Sequence, residues 1–160
     1  MPNRTPQAQR VFLVVVDESP ELKIALRFAC NRARHVGGRV AMLYVTEPAE
    51  GGEWMGVGEL MREERRQAAE TKLAELSSVV HEMSGETPML YVREGDAREA
   101  LLALLDEEPA ISILVLGAGT GRGGPGPLVT ELAGKYAGQL RVPLTIVPGG
   151  LTDDDIDAIS

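Results

Sequence analysis

Two stretches carry residues whose types could hold a polar small molecule or an anion. The first is Asp17-Glu18-Ser19-Pro20, and the second runs from Gly117 to Pro127. The second contains Gly117, Gly119, Gly121, Gly123, Gly124 and Gly126, with Arg122 as its one full positive charge. Glycines let main-chain N–H groups approach an anion closely, and a following helix N-terminus adds partial positive charge. Composition alone leaves two readings of this loop open, a phosphate cradle and a flexible surface loop. Asp17 likewise has two readings, a carboxylate serving the start of the next helix or a ligand contact.

Several sharper chemistries fail on spacing. Gly119, Gly121 and Gly124 spell G-x-G-x-x-G. They follow the fourth apolar run rather than the first, Pro125 and Pro127 delay the helix, and no acidic residue closes the next strand to hold a ribose. The phosphate-loop pattern is absent because no lysine follows the glycines at the required place. His35 and His81 lack partners at metal-ligand spacing. Ser19 suits a helix cap better than a nucleophile, having no nearby histidine. Cys30 falls on an apolar helical stripe and reads as inert core.

The elements that must position these loops follow from the hydrophobic pattern. Val11 to Val16, Val40 to Val45, Met89 to Val92, Ile111 to Leu116 and Val142 to Val147 are short, nearly continuous apolar runs, as expected of strands buried on both faces. Between them lie helical patterns. Leu22, Ala25, Leu26, Ala29, Cys30 and Ala33 recur at helical spacing before Gly37-Gly38, with Ser19 and Pro20 suited to the helix start. A long helix is predicted from about Leu60 to Met83 on the stripe Ala69, Leu73, Leu76, Val80 and Met83. Its charged run Arg62 to Arg66 reads as a solvated face. Asp96 with Glu99 opens a third helix that ends before Pro109, and a fourth is expected from about Leu128 to Leu140.

Strand–helix alternation of this kind predicts an α/β fold: one domain with a five-stranded open parallel sheet, doubly wound, with helices on both faces. Pro143 and Pro148 place the last strand at a sheet edge, where an apolar edge could pair with a second copy. The expected organisation is a flexible N-terminus over 1–9, a domain over 10–149 and an acidic tail over 150–160. Asp153, Asp154, Asp155 and Asp157 make that tail a mobile, solvated terminus by expectation. It lacks the glycine turn and closing glutamate of a calcium loop. The loop from Thr46 to Gly58 offers Trp54 and Met55 as partner contacts.

The 160 residues carry 16 Lys and Arg against 24 Asp and Glu, a net charge of −8. That balance argues against binding a nucleic-acid backbone, and 4% aromatics leave little for base-stacking platforms. One cysteine excludes an internal disulfide and suits a reducing compartment. With no membrane-length apolar run and a polar stretch from Met1 to Arg10, a cytoplasmic protein is expected.

The chain resembles the universal stress protein family from about Val11 to Pro148. The resemblance rests on Val14-Val15-Val16-Asp17-Glu18-Ser19, Leu43-Tyr44-Val45, Ile113-Leu114-Val115-Leu116-Gly117 and Val142-Pro143-Leu144-Thr145-Ile146-Val147-Pro148, in that order. It implies an adenine-nucleotide-binding-like α/β fold and a homodimer through the last strand. For a nucleotide-binding member it implies ATP with Mg and, at most, weak ATP hydrolysis. By resemblance, Asp17 approaches the adenine or ribose, Val45 packs near the base, and Gly117 opens a phosphate loop including Gly119, Gly121 and Arg122. The family's binding pattern is G-x2-G-x9-G-[ST]. Counted from Gly117, Thr120, Thr130 and Glu131 stand where Gly, Gly and Ser/Thr are expected. Glu131 would repel phosphate oxygens, whereas a one-residue shift gives Thr130 the hydroxyl role. Two functions follow: an adenine-nucleotide-responsive stress protein binding between the loops after strands 1 and 4, or a non-nucleotide member acting through dimer and partner contacts.

Overall fold

The structure is a computed structural model that describes residues 8–48 and 56–160. Trp54, Met55 and all of the 1–9 stretch except Ala8 and Gln9 lie outside the described residues. Five parallel strands form one sheet in the order β3-β2-β1-β4-β5: β1 Val11–Val16, β2 Arg39–Thr46, β3 Met89–Glu94, β4 Ile111–Ala118 and β5 Leu144–Pro148. The helices are α1 Leu22–Val36, α2 Val57–Ser84, α3 Ala97–Glu107, α4 Pro127–Ala133 and α5 Asp153–Ile159.

Parallel strands need helical crossovers, and these cover both faces. On one face, Phe12, Val14 and Val16 of β1 and Met42 of β2 pack with Leu26, Ala29 and Cys30 of α1, Leu73 and Val80 of α2, and Ile156 of α5. On the other, Leu13, Leu43 and Leu114 pack with Leu101, Leu104 and Leu105 of α3 and Leu132 of α4. Successive strand residues point to opposite faces, so β1 feeds both cores at once. All six residues of the α1 stripe predicted from the sequence are buried.

Several local expectations are corrected. The residues 150–160 do not form a mobile tail. Thr152 and Asp155 make a reciprocal capping box for α5, which seats Ile156, fully buried, against the α1 face. The acidic residues gather at that helix N-terminus, where negative charge is favoured. Ser19 does not cap α1: Glu21 holds the N-cap position without a side-chain cap bond, and Ser19 turns back to Asp17. Pro143 precedes β5 rather than lying inside it, and β5 is an edge strand as its prolines require. The fourth helical segment is cut short at Ala133, and a single 3-10 turn follows at Ala137–Gln139.

α1 starts at the carboxyl ends of the strands and returns to their amino ends. There Gly37 takes the left-handed conformation (φ 67°) that stops the helix. His35, in that last turn, lies 2.7 Å from the Ser160 carbonyl oxygen through Nδ1.

Candidate functional site

In open α/β sheets, ligands collect at the carboxyl ends of strands where the strand order reverses. Here β2 flanks β1 on one side and β4 on the other. The loops after β1 and β4 are therefore neighbours at the reversal. Glu21, which follows the first sequence-marked stretch, packs against the second.

The carbonyl oxygen of Glu21 would lie 2.8 Å from a Cβ added at Gly117, and the side-chain Oε1 3.3 Å from one added at Gly119. Glycine at 117 is thus explained by the close approach of α1, without any ligand. The half-buried Glu21 also brings a carboxylate to the mouth of the glycine loop. The loop closes on itself: the Gly119 N–H donates to the Pro125 carbonyl at 3.2 Å, and the Gly124 N–H to the Gly121 carbonyl at 3.1 Å. Two donors that a phosphate cradle would use are spent internally. Gly121 and Arg122 are exposed. Thr130, on α4, donates its hydroxyl back to the Gly126 carbonyl at 2.9 Å. Glu131 turns to Arg98 of α3 at 3.3 Å, and the Arg98 guanidinium stacks 4.1 Å over the Tyr136 ring.

At the carboxyl ends of β1 and β2 lies a chamber of about 370 Å³. Asp17 and Val45 both line it, with Val16, Tyr44, Arg65 and Ala68 among the other walls. Asp17 accepts the Ser19 N–H at 2.9 Å, and the Ser19 hydroxyl, on Oδ1. This Asx turn holds the carboxylate through Oδ1, and Oδ2 accepts no hydrogen bond among the described residues. Burial, then the Glu18 carboxylate, holds the Tyr44 phenol above its ordinary range, so it stays a neutral donor. Lys72 meets Glu18, another residue of the lining, at 3.4 Å.

A second chamber of about 800 Å³ adjoins the first, sharing Val45, Glu47 and Arg65 with it. Its far wall is Gly95, Asp96 and Ala97, where α3 begins. Asp96 is its N-cap, accepting the Glu99 N–H at 3.0 Å.

Of the residues singled out in the sequence, the structure joins Asp17 with Val45. Gly117, Gly119, Gly121, Arg122 and Thr130 are not among the residues that line that chamber. Two residues escaped the sequence reading. Glu21, just before α1, belongs to no motif. Arg65 stood inside a charged run read as solvated, but it is half-buried and donates to the Glu47 carbonyl at 2.7 Å. The α2 stripe held a signal: Arg65 lies four residues before Ala69, on the same side of the helix.

Comparison with known proteins agrees with this architecture. No curated protein matches the chain. Among solved structures, universal stress protein UspA from Lactobacillus plantarum is 16% identical with a TM-score of 0.71, covering 89% of this chain and 99% of its own. A universal stress protein in complex with cAMP is 17% identical with a TM-score of 0.57, covering 88% of this chain and 97% of its own. A family protein from Arabidopsis thaliana with AMP bound is 16% identical with a TM-score of 0.59, covering 88% and 91%. At these identities the likeness speaks for the fold. The universal stress protein family model matches residues 9–148, and on that match the chain belongs to the universal stress protein family.

Proposed function

We propose that this protein is a nucleotide-responsive stress regulator that holds an adenine nucleoside or mononucleotide by its adenosine end. The observation that carries the reading is the open chamber of about 370 Å³ between the ends of β1 and β2, with Asp17 and Val45 on its walls. Its size falls in the range of small-molecule sites, and its mix of apolar walls and a few polar groups suits a purine. Val16, Val45 and Ala68 offer apolar surface to a base. The Asp17 carboxylate offers an acceptor to a ribose hydroxyl or an exocyclic amine. The relatives bound to AMP and to cAMP support a ligand of this class.

A triphosphate with Mg is the weaker candidate for this chain. The Glu21 carboxylate beside Gly119 and the internally bonded glycine loop oppose further negative charge there. These same features favour a second reading, a stress protein that works through partner contacts without nucleotide.

Calorimetric titration with adenosine, AMP, cAMP and ATP with Mg separates the two, alongside mass spectrometry of nucleotide retained on purification. Adenosine and AMP should release heat, and ATP with Mg should bind no more tightly than AMP. Asp17→Ala should weaken all of them about tenfold or more, the usual loss for a hydrogen bond to a charged group. Silence for every adenine ligand at millimolar concentration, with none retained, hands the function to the partner reading.

The proposal includes a homodimer through β5 and a cytoplasmic setting. Edge position and the exposed Ile146 support the first, and a lone thiol in the sequence suits the second.

A further inference from the structure

We infer that Arg65, on α2, receives the ligand's phosphate, so that the site selects a singly phosphorylated adenine nucleotide without using the glycine loop. The inference rests on reading the smaller chamber as the adenosine site.

Position comes first. Arg65 stands on the wall common to both chambers, so a ligand whose base and ribose fill the smaller one can reach past Val45 toward this guanidinium. Charge comes second. Its neighbours on α2 are committed, Arg62 to Glu94 at 3.0 Å and Arg66 to Glu63 at 3.3 Å and Glu70 at 3.8 Å. Arg65 forms no ion pair among the described residues. Its Nη1 is bonded to a neutral carbonyl, that of Glu47, at 2.7 Å. That bond anchors the guanidinium while its other N–H donors remain for phosphate oxygens, which a planar fork meets two at a time. Half-burial strengthens the attraction relative to bulk water.

The same surroundings set the charge limit. Glu47 and Asp96 share the larger chamber with Arg65. Asp96 is occupied in capping α3, and the exposed Glu47 side chain reaches solvent. One phosphate can be balanced by one guanidinium there, whereas a triphosphate would meet two carboxylates with no further cation on that wall.

The test is calorimetry of adenosine, AMP and ATP on the full chain, on Arg65→Gln, on Arg65→Lys and on Arg62→Gln, with circular dichroism to verify folding. The parent and Arg62→Gln should bind AMP at least tenfold more tightly than adenosine. Arg65→Gln should bring AMP down to the adenosine level with adenosine unchanged, and Arg65→Lys should restore only part of the difference. Equal binding of AMP and adenosine by the parent overturns the assignment. So does an AMP preference that survives Arg65→Gln, or a matching loss of both ligands in that variant. In each of these cases adenosine binding by the parent leaves the chamber reading standing. If neither adenosine nor AMP binds the parent, both readings fall together.

Discussion

At the scale of single residues, the most strongly perturbed carboxylate lies far from the candidate site. Asp157 of α5 accepts Arg27 Nε at 2.8 Å, Arg27 Nη2 at 2.7 Å and Asn31 Nδ2 at 2.9 Å. The hydrogen bond from Arg27, then that from Asn31, holds its carboxyl down at about 2, against an ordinary value of 3.8. Unfolding therefore takes up a proton between those two values. The clamp's contribution is complete above about pH 4 and is lost as pH falls through the folded value near 2. Asp157→Asn should be less stable than the parent at neutral pH. The stability gap, read from urea unfolding at a series of pH values, should narrow steadily below pH 4. A gap independent of pH would mean that the ion pair contributes nothing. Cys30 shows the opposite perturbation: burial raises its thiol to about 12, which matches the inert role its apolar spacing predicts.

Elements differ in how plainly the sequence announces them. The strands and α1 were legible because a doubly buried strand must be apolar throughout and a half-buried helix must repeat its apolar residues near every third or fourth position. α5 was not legible, because four aspartates outweigh the one residue that decides its fate, Ile156. Its capping box sits at Thr152 and Asp155, a pattern masked by the surrounding charge. Thr152→Ala should cost about 1 kcal/mol through the lost cap. Ile156→Ala should cost about 2–5 kcal/mol through the cavity under α1. Chemical denaturation reads both, and hydrogen exchange should show the loss concentrated in α5 and the facing side of α1. The candidate site was legible only in part. Asp17 and Val45 stand at strand ends, which the hydrophobic pattern locates. Glu21 and Arg65 owe their places to tertiary packing, and of the two only Arg65, four residues before Ala69, carried a local signal.

On the scale of the whole molecule, the two sheet edges are not equivalent. β5 is short, follows Pro143, ends at Pro148, and leaves Ile146 39% exposed. α5 packs on α1. An exposed edge strand presents unpaired backbone donors and acceptors, which is what the proposed homodimer would use. Sedimentation velocity should therefore give a dimer at micromolar concentration, and Ile146→Lys should shift it toward monomer by at least tenfold in dissociation constant. A monomeric parent would end the homodimer proposal. No helix among the described residues is long and apolar enough to cross a membrane.

The seat of α5 also has a practical side. Ser160, which caps its C-terminus, meets His35 at the amino pole of the sheet, whereas both chambers open at the carboxyl pole. A fluorophore, affinity handle or surface tether attached at the exposed position of Ile159 would stand the length of α1 away from any ligand entering beside Asp17. Molecules immobilised that way would all present the same open mouth to the surrounding solution.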